Sequence, residues 1–446
     1  MAEVRYWVAE EGLDGYRVRG EVAITAPGLG LFAHRDAGDP EDNAGHFLDL
    51  TAVCGHTGKP LPVSRPGPRE WRLEAPPGPV QFTYSVRLPP RPEDFSSYLR
   101  GWRGRGRAFF LGLALFLAVE DRDAAYHIRF RGPAFASCPE EFEVQRSKFK
   151  VGEPEPGLRP GGNCRKKAGV FVCSGHRQLF LSAFGQGPYH GATAGAGKHR
   201  LILIRDETAP PEWAGLLPRL EAMLSLLLDL FGQAPFRDLT FFLFAGKARE
   251  ETAMGSGAAL PGGVLLTFPD HSAPALDTRH LWLTLHEFLH QWLGMDLKAG
   301  EADLEWFFEG FTCFFTLALL QQAGWADGAY AQAVVDRNRA AYLAAARDLV
   351  GSPLGPPSRD AEFNYHFHGG FFLARRWDEE LRQELPGGLA AWMKKFYRAY
   401  RGRTFDASSL LAAIEATSPA GRIPDYFPGF LNREKILPLG GCGTDS

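Results

Sequence analysis

Two histidines four residues apart enclose a glutamate in the stretch His286-Glu287-Phe288-Leu289-His290. On a helix of about 3.6 residues per turn, positions i and i+4 share a face, so the two imidazoles can hold one cation. Glu287 sits one residue round from that face. There it can take a proton from a water at the cation without ligating the metal itself. A catalytic zinc takes three protein ligands and keeps one position for water, so the pattern asks for a third donor. Glu309 supplies it, following His290 after the eighteen residues 291–308 and lying in the apolar run WFFEGF.

To bring Glu309 to the histidines, the chain must leave one helix near Gly294, turn through the polar residues 298–303 and return as a second helix. Both segments, LWLTLHEFLHQWLG and LEWFFEGFTCFFTLALL, are apolar on nearly every side. The plain alternative is that these are ordinary helix histidines and an ordinary buried acid. An imidazole or carboxylate buried there without a partner costs several kcal/mol, and a metal is the natural partner. With two histidines and one glutamate as donors, the expected ion is Zn2+, one per chain, although manganese or cobalt could occupy the same donors.

The rest of the sequence sets the frame for this centre. A chain of 446 residues exceeds one small core and implies two to three domains. With 45% hydrophobic and 23% charged residues it has the composition of a globular protein, and a net charge of -3 gives no reason to expect a nucleic-acid or anionic-membrane partner. No apolar run has the length of a membrane span, since AFFLGLALFLAV is too short. The N-terminus lacks the apolar core of a signal peptide, so a cytoplasmic location is expected. Six scattered cysteines, Cys54, Cys138, Cys164, Cys173, Cys313 and Cys442, suit reduced thiols better than a disulfide framework.

From residue 4 to about 206 the pattern is short strands and turns. VRYWVAEE, YRVRGEVAI, GHFLDLTAV, VQFTYSVRL, AYHIRFRGP and RQLFLSAFG gather β-branched and aromatic residues between glycine and proline breaks. The expected fold is α+β and multidomain, beginning with a β-sandwich-like domain over residues 1–197. GEPEPGLRPGGN, residues 152–163, reads as a surface loop. Beyond HRLILIRDET the pattern changes: WAGLLPRLEAMLSLLLDLFG is a helix by its leucine spacing, while FRDLTFFLFAG and GGVLLTFPD are buried strands. Helices rich in alanine and leucine follow the metal-site segments. The tail over residues 439–446 is expected to be disordered.

HEFLHQWLG followed by LEWFFEGFT resembles the gluzincin metallopeptidases, in which H-E-x-x-H is followed after eighteen residues by a glutamate ligand. The glycyl aminopeptidase family looks nearest, with the aminopeptidase-N-like family close behind; these carry H-E-x-x-H-x-W and W-x-x-E-G-F. The resemblance implies a thermolysin-like catalytic domain over residues 198–438, with a small sheet and a mostly helical C-terminal part, acting on peptide substrates. It also implies an edge strand beside the cleft, a position filled here by GSGAALPGGVLLTF. In those families an acidic residue in this loop grips the substrate's free amino group, but AMGSGAALPGG supplies no carboxylate. They place an oxyanion-donating tyrosine at a helix start. Tyr365 is the candidate, although counting back from Gly370-Phe371 puts the position on Phe367, flanked by His366 and His368, either of which could donate instead.

The sequence therefore supports a zinc-dependent, aminopeptidase-like peptidase in which His286, His290 and Glu309 hold the metal and Glu287 is the general base. Two other readings stay open: a catalytically silent relative that binds peptides, and a metal-dependent hydrolase of a non-peptide substrate.

Overall fold

The computed structural model describes residues 2–12, 15–33, 46–90, 101–104, 107–131, 135–137, 165–167, 170–186, 189–206, 209–246, 255–269, 276–300, 304–349 and 359–417, together with Phe427, Phe430 and Leu437. Its contacts divide the chain into two compact units, Met1–Leu217 with Phe236–Ala275, and Pro218–Pro235 with Leu276–Ser446.

The first unit is built on an eight-stranded sheet. Strand Glu3–Glu11 pairs antiparallel with Gly15–Ile24, which pairs with Gly78–Arg87, and on its other side it runs parallel to Ala125–Arg131. Side chains alternate across the pleat, so Val4, Tyr6 and Val8 are buried beside Tyr16, Val18, Phe82 and Tyr84. Gly20 lies under the Phe82 ring, where a Cβ would come within 2.1 Å. The apolar run after Ala108 is a strand, Arg107–Leu111, then a 3-10 turn, Gly112–Ala114, and a short strand, Ala118–Val119. Backbone groups of that turn region are satisfied inside the core, where the Tyr84 hydroxyl donates to Leu115 O at 3.1 Å and accepts from Leu117 N at 3.2 Å.

RQLFLSAFG, expected as a strand, is divided between helix α1, Gly175–Leu181, and a strand, Ala183–Gln186. A short apolar run buries its side chains equally well either way, and here the helix sends Leu179 and Phe180 inward. The expectation of reduced thiols is also corrected at one position, because Cys173 is disulfide-bonded while Cys54 and Cys313 are free. The loop expected over residues 152–163 and the tail over 439–446 lie outside the described residues.

A five-stranded sheet completes this unit, in the order Tyr189–Ala196, His199–Asp206, Asp238–Gly246, Gly263–Pro269, Ser256–Leu260. The central three run parallel and carry continuous apolar sequence, as strands covered on both faces do. Within GSGAALPGGVLLTF the edge is Ser256–Leu260, since Gly263–Pro269 is paired on both sides.

The second unit is helical. Helix α2, Leu216–Phe231, enters it, followed by α3, Thr278–Leu289, α4, Phe311–Gln322, α5, Gly328–Leu349, α6, Arg359–Leu381, α7, Gly388–Tyr400, and α8, Ala407–Glu415. A π-helical turn, Trp306–Gly310, runs directly into α4. Trp306, Phe311, Trp377 and Phe427 pack edge-on in its core. Trp292 stacks on Phe231 and donates its indole N–H to Gln233 O at 2.7 Å. The segment 364–370, expected to open a helix, lies well inside α6. Its two glycines are there for close approach rather than as a break: a Cβ on Gly369 would meet the Phe430 and Tyr342 rings at 2.7 and 2.8 Å. Among the described residues, no helix is long and apolar enough to cross a membrane.

Candidate metal centre

Helix α3 is fixed at its start by Asp277, whose carboxylate accepts from the backbone N–H of Arg279 and His280 at 2.9 and 3.1 Å, while the His280 side chain returns to the Asp277 backbone. This reciprocal cap satisfies donors that a bare helix end would leave unpaired. The helix ends at His290, its C-cap residue. Gly294, at φ 115°, lets the chain fold back at once. The fold-back turns Leu293 O toward His290 Nδ1, 3.0 Å away. With its hydrogen on Nδ1, His290 presents the lone pair of Nε2 to the inside of the site.

Glu309 arrives on the π-helical turn. His286 Nε2 and His290 Nε2 lie 3.1 Å apart, and Glu309 Oε2 stands 3.3 Å from the first and 3.5 Å from the second. Their ligand atoms all fall within 4.8 Å of one another, and among the described residues they form the one such group of histidine, cysteine, aspartate or glutamate. Three donors converging through imidazole Nε2 and one carboxylate oxygen match what a tetrahedral zinc with one open position takes. The imidazoles are nearly buried, whereas the Glu309 side chain keeps 28% of its surface, so the cluster opens to solvent on that side.

The two imidazoles and the carboxylate set each other's charge. Burial by itself would raise the Glu309 carboxyl, but the facing His290 and His286 imidazoles overcome it and hold the group well below the usual carboxylate range. Burial would likewise lower His290, yet the charge and hydrogen bond of Glu309, helped by Glu287, push it up to about 9. Glu287 is itself buried next to the first ligand.

The remaining donor candidates on α6 are placed differently. Tyr365 is fully buried, its ring stacks on Phe430, and its hydroxyl donates to Phe430 O at 3.2 Å. Phe367, about 200° further round the helix, is the residue that faces the centre, its ring 6.3 Å from that of His286. Tyr365, the expected donor, thus turns its hydroxyl into the helical core, on the face turned from Phe367. His366 packs edge-on against Tyr365 and Phe430, on the same side. His368 Nδ1 bonds Asn338 Oδ1 at 2.7 Å, and burial followed by the charge of Arg337 brings its pKa down to about 4.

Sequence reasoning gave Cys313 no role at the site, and used Gly310 and Gly370 only as parts of the WFFEGF and Gly-Phe patterns. Cys313 follows Glu309 by four residues, a spacing that places both on one helix face and could have drawn attention to it.

The described fold is shared with solved metallopeptidases. An aminopeptidase N family protein from Idiomarina loihiensis superposes with a TM-score of 0.73 at 18% identity, over 98% of this chain and 77% of that one. An M1 zinc metallopeptidase from Deinococcus radiodurans gives 0.56 at 15% identity, over 98% and 94%. A glutamate-to-alanine mutant of the latter bound to a Tyr-Ser-Ala substrate gives 0.57 at 14% identity, over 98% and 94%. No family model and no curated protein matches the sequence. The architecture is thus mixed α+β and multidomain, similar to the folds of M1 zinc metallopeptidases.

Proposed function

We propose that this chain is a zinc-dependent peptidase, aminopeptidase-like, with residues 198–438 as its catalytic domain and peptides as substrates. The observation that carries this reading is the convergence of His286, His290 and Glu309 within 4.8 Å, with Glu287 adjoining, on a fold shared with zinc metallopeptidases.

Zinc held by the three residues would supply Lewis acidity toward a carbonyl and bring water into acidity near neutral pH. Glu287 takes the proton of the attacking water on its carboxylate and later delivers it to the leaving amine. Leu293 O holds His290 in the tautomer that directs Nε2 inward. Phe367 covers one side of His286 and brings no hydrogen-bond donor, so its position adds nothing to oxyanion binding. The missing carboxylate in AMGSGAALPGG leaves recognition of a free amino terminus without its expected partner, and internal peptides belong in the substrate panel.

The test is hydrolysis of aminoacyl and internally quenched peptides before and after chelation. Hydrolysis lost with chelator and restored by zinc is expected. Peptide binding without hydrolysis would identify a silent relative, and turnover confined to esters or epoxides would identify a different hydrolase.

A further inference from the structure

His286 has two ring nitrogens, and the site uses both. Nε2 faces Glu309 Oε2 at 3.3 Å and His290 Nε2 at 3.1 Å, while Nδ1 lies 3.8 Å from the sulfur of Cys313, within the range of a hydrogen bond to sulfur. We propose that Cys313 is a positioning residue of the metal centre, its sulfur accepting the Nδ1 hydrogen of His286 and thereby aiming Nε2 at the cation. This inference rests on the reading of His286, His290 and Glu309 as metal ligands.

The argument is one of proton placement. An imidazole that gives the Nε2 lone pair to a metal must carry its hydrogen on Nδ1. In a buried site that N–H needs an acceptor, because an unmade bond costs the full desolvation of the donor. For His290 the acceptor is a backbone carbonyl, Leu293 O at 3.0 Å. For His286 the facing atom is a thiol sulfur, a weak but competent acceptor. Cys313 is 3% exposed and makes no disulfide, so the sulfur is fixed by packing and not engaged elsewhere as a bridge.

Placement in the fold supports the assignment. Cys313 stands in the first turn of α4, directly after the π-helical turn that carries Glu309. One continuous segment therefore delivers both the third ligand and the group that orients the first. Groups that orient metal-bound histidines contribute a factor of roughly 10–100 in metal affinity when they are carboxylates or carbonyls, and a thiol belongs at the lower end.

The experiment compares zinc affinity by competition with a fluorescent chelator in the wild type, Cys313→Ala, Cys313→Ser and the control His290→Ala. Cys313→Ala is expected to bind zinc about 10-fold more weakly, with a melting temperature in chelator close to the wild type. Cys313→Ser, whose hydroxyl can also accept, should recover most of the loss. Equal zinc affinity in Cys313→Ala and wild type, with His290→Ala defective, would show that the thiol only packs. Equal loss in Ala and Ser variants, tracking a loss of stability in chelator, would assign it a structural role and overturn the proposal. Cobalt-loaded wild type adds a further check: sulfur-to-metal charge-transfer absorption would make Cys313 a ligand and also overturn it. If His290→Ala binds zinc normally, the metal reading itself fails, an outcome distinct from all of these.

Discussion

Gly310 and Gly370 meet with no room for a methyl group on either. A Cβ on Gly310 would lie 2.3 Å from the carbonyl carbon of Gly370, and a Cβ on Gly370 would lie 2.1 Å from the carbonyl oxygen of Trp306. The π-helical turn carrying Glu309 is thus seated backbone to backbone on α6. Gly370→Ala is expected to destabilise the protein by about 1–3 kcal/mol through overpacking. Because the clash falls on the turn itself, zinc affinity should drop as well. Thermal melts with and without chelator separate the two effects, and a variant with normal zinc affinity would show that the close contact does not set the position of Glu309.

Metal content offers a direct test of the ligand set. Protein purified without added zinc should contain about one equivalent, the stoichiometry of a three-donor site. His290→Ala and Glu309→Ala should each lose most of it, as measured by elemental analysis. Retention of metal in both would refute the assignment.

Glu287→Gln keeps size and removes the proton acceptor. Zinc content and melting temperature should stay near wild type while turnover falls by about 10²–10⁴, the range of general acid–base catalysis. Single-turnover rates near those of wild type would remove Glu287 from the mechanism.

Tyr365→Phe should leave peptide turnover unchanged and lower stability by about 1–2 kcal/mol, since it deletes the hydroxyl's buried bonds to Phe430 O and to Tyr342. A large fall in kcat without a change in melting temperature would return Tyr365 to the reaction.

The metal-free cluster should leave a pH signature. His290 is raised to about 9, above its unfolded value of about 6.5, so it contributes stability fully present below about 6.5 and lost as pH rises through about 9. Glu309 is depressed, so its contribution is present above about 4.3 and lost as pH falls through its folded value. In chelator the melting temperature should therefore decline between pH 6.5 and 9. Zinc must displace the His290 proton, so apparent zinc affinity should rise with pH over the same window. A pH-independent affinity would show that no proton is released on binding.

The grouping of His286, His290 and Glu309 was legible in the sequence because its information is local: a spacing of four on one helix sets the two histidines, and one short return sets Glu309. What lay beyond was decided by packing. Tyr365 looked like a donor beside a helix start, but Gly369 and Gly370 serve the contacts with Tyr342, Phe430 and Trp306, so α6 runs through them and turns Tyr365 into the core. The strands of the first unit announced themselves by alternation, as in Val4, Tyr6 and Val8, whereas RQLFLSAFG had no period to distinguish helix from strand. Cys313 was visible only as one of six scattered thiols, since the contact that gives it meaning is to a residue on another helix.

The connector between the histidines and Glu309 is itself tied down, as Lys298–Ala299 runs parallel to Thr404–Phe405 and Gly300 N donates to Phe405 O at 2.8 Å. The Phe405 ring then packs on Phe307 and Phe308, immediately before Glu309. All three donor residues lie within 286–309, yet a fragment ending before residue 404 would carry them without the strand that steadies their spacing. A chain truncated before residue 404 should therefore hold zinc more weakly than the full chain although every donor remains on it, a difference that competition with a chelator would measure.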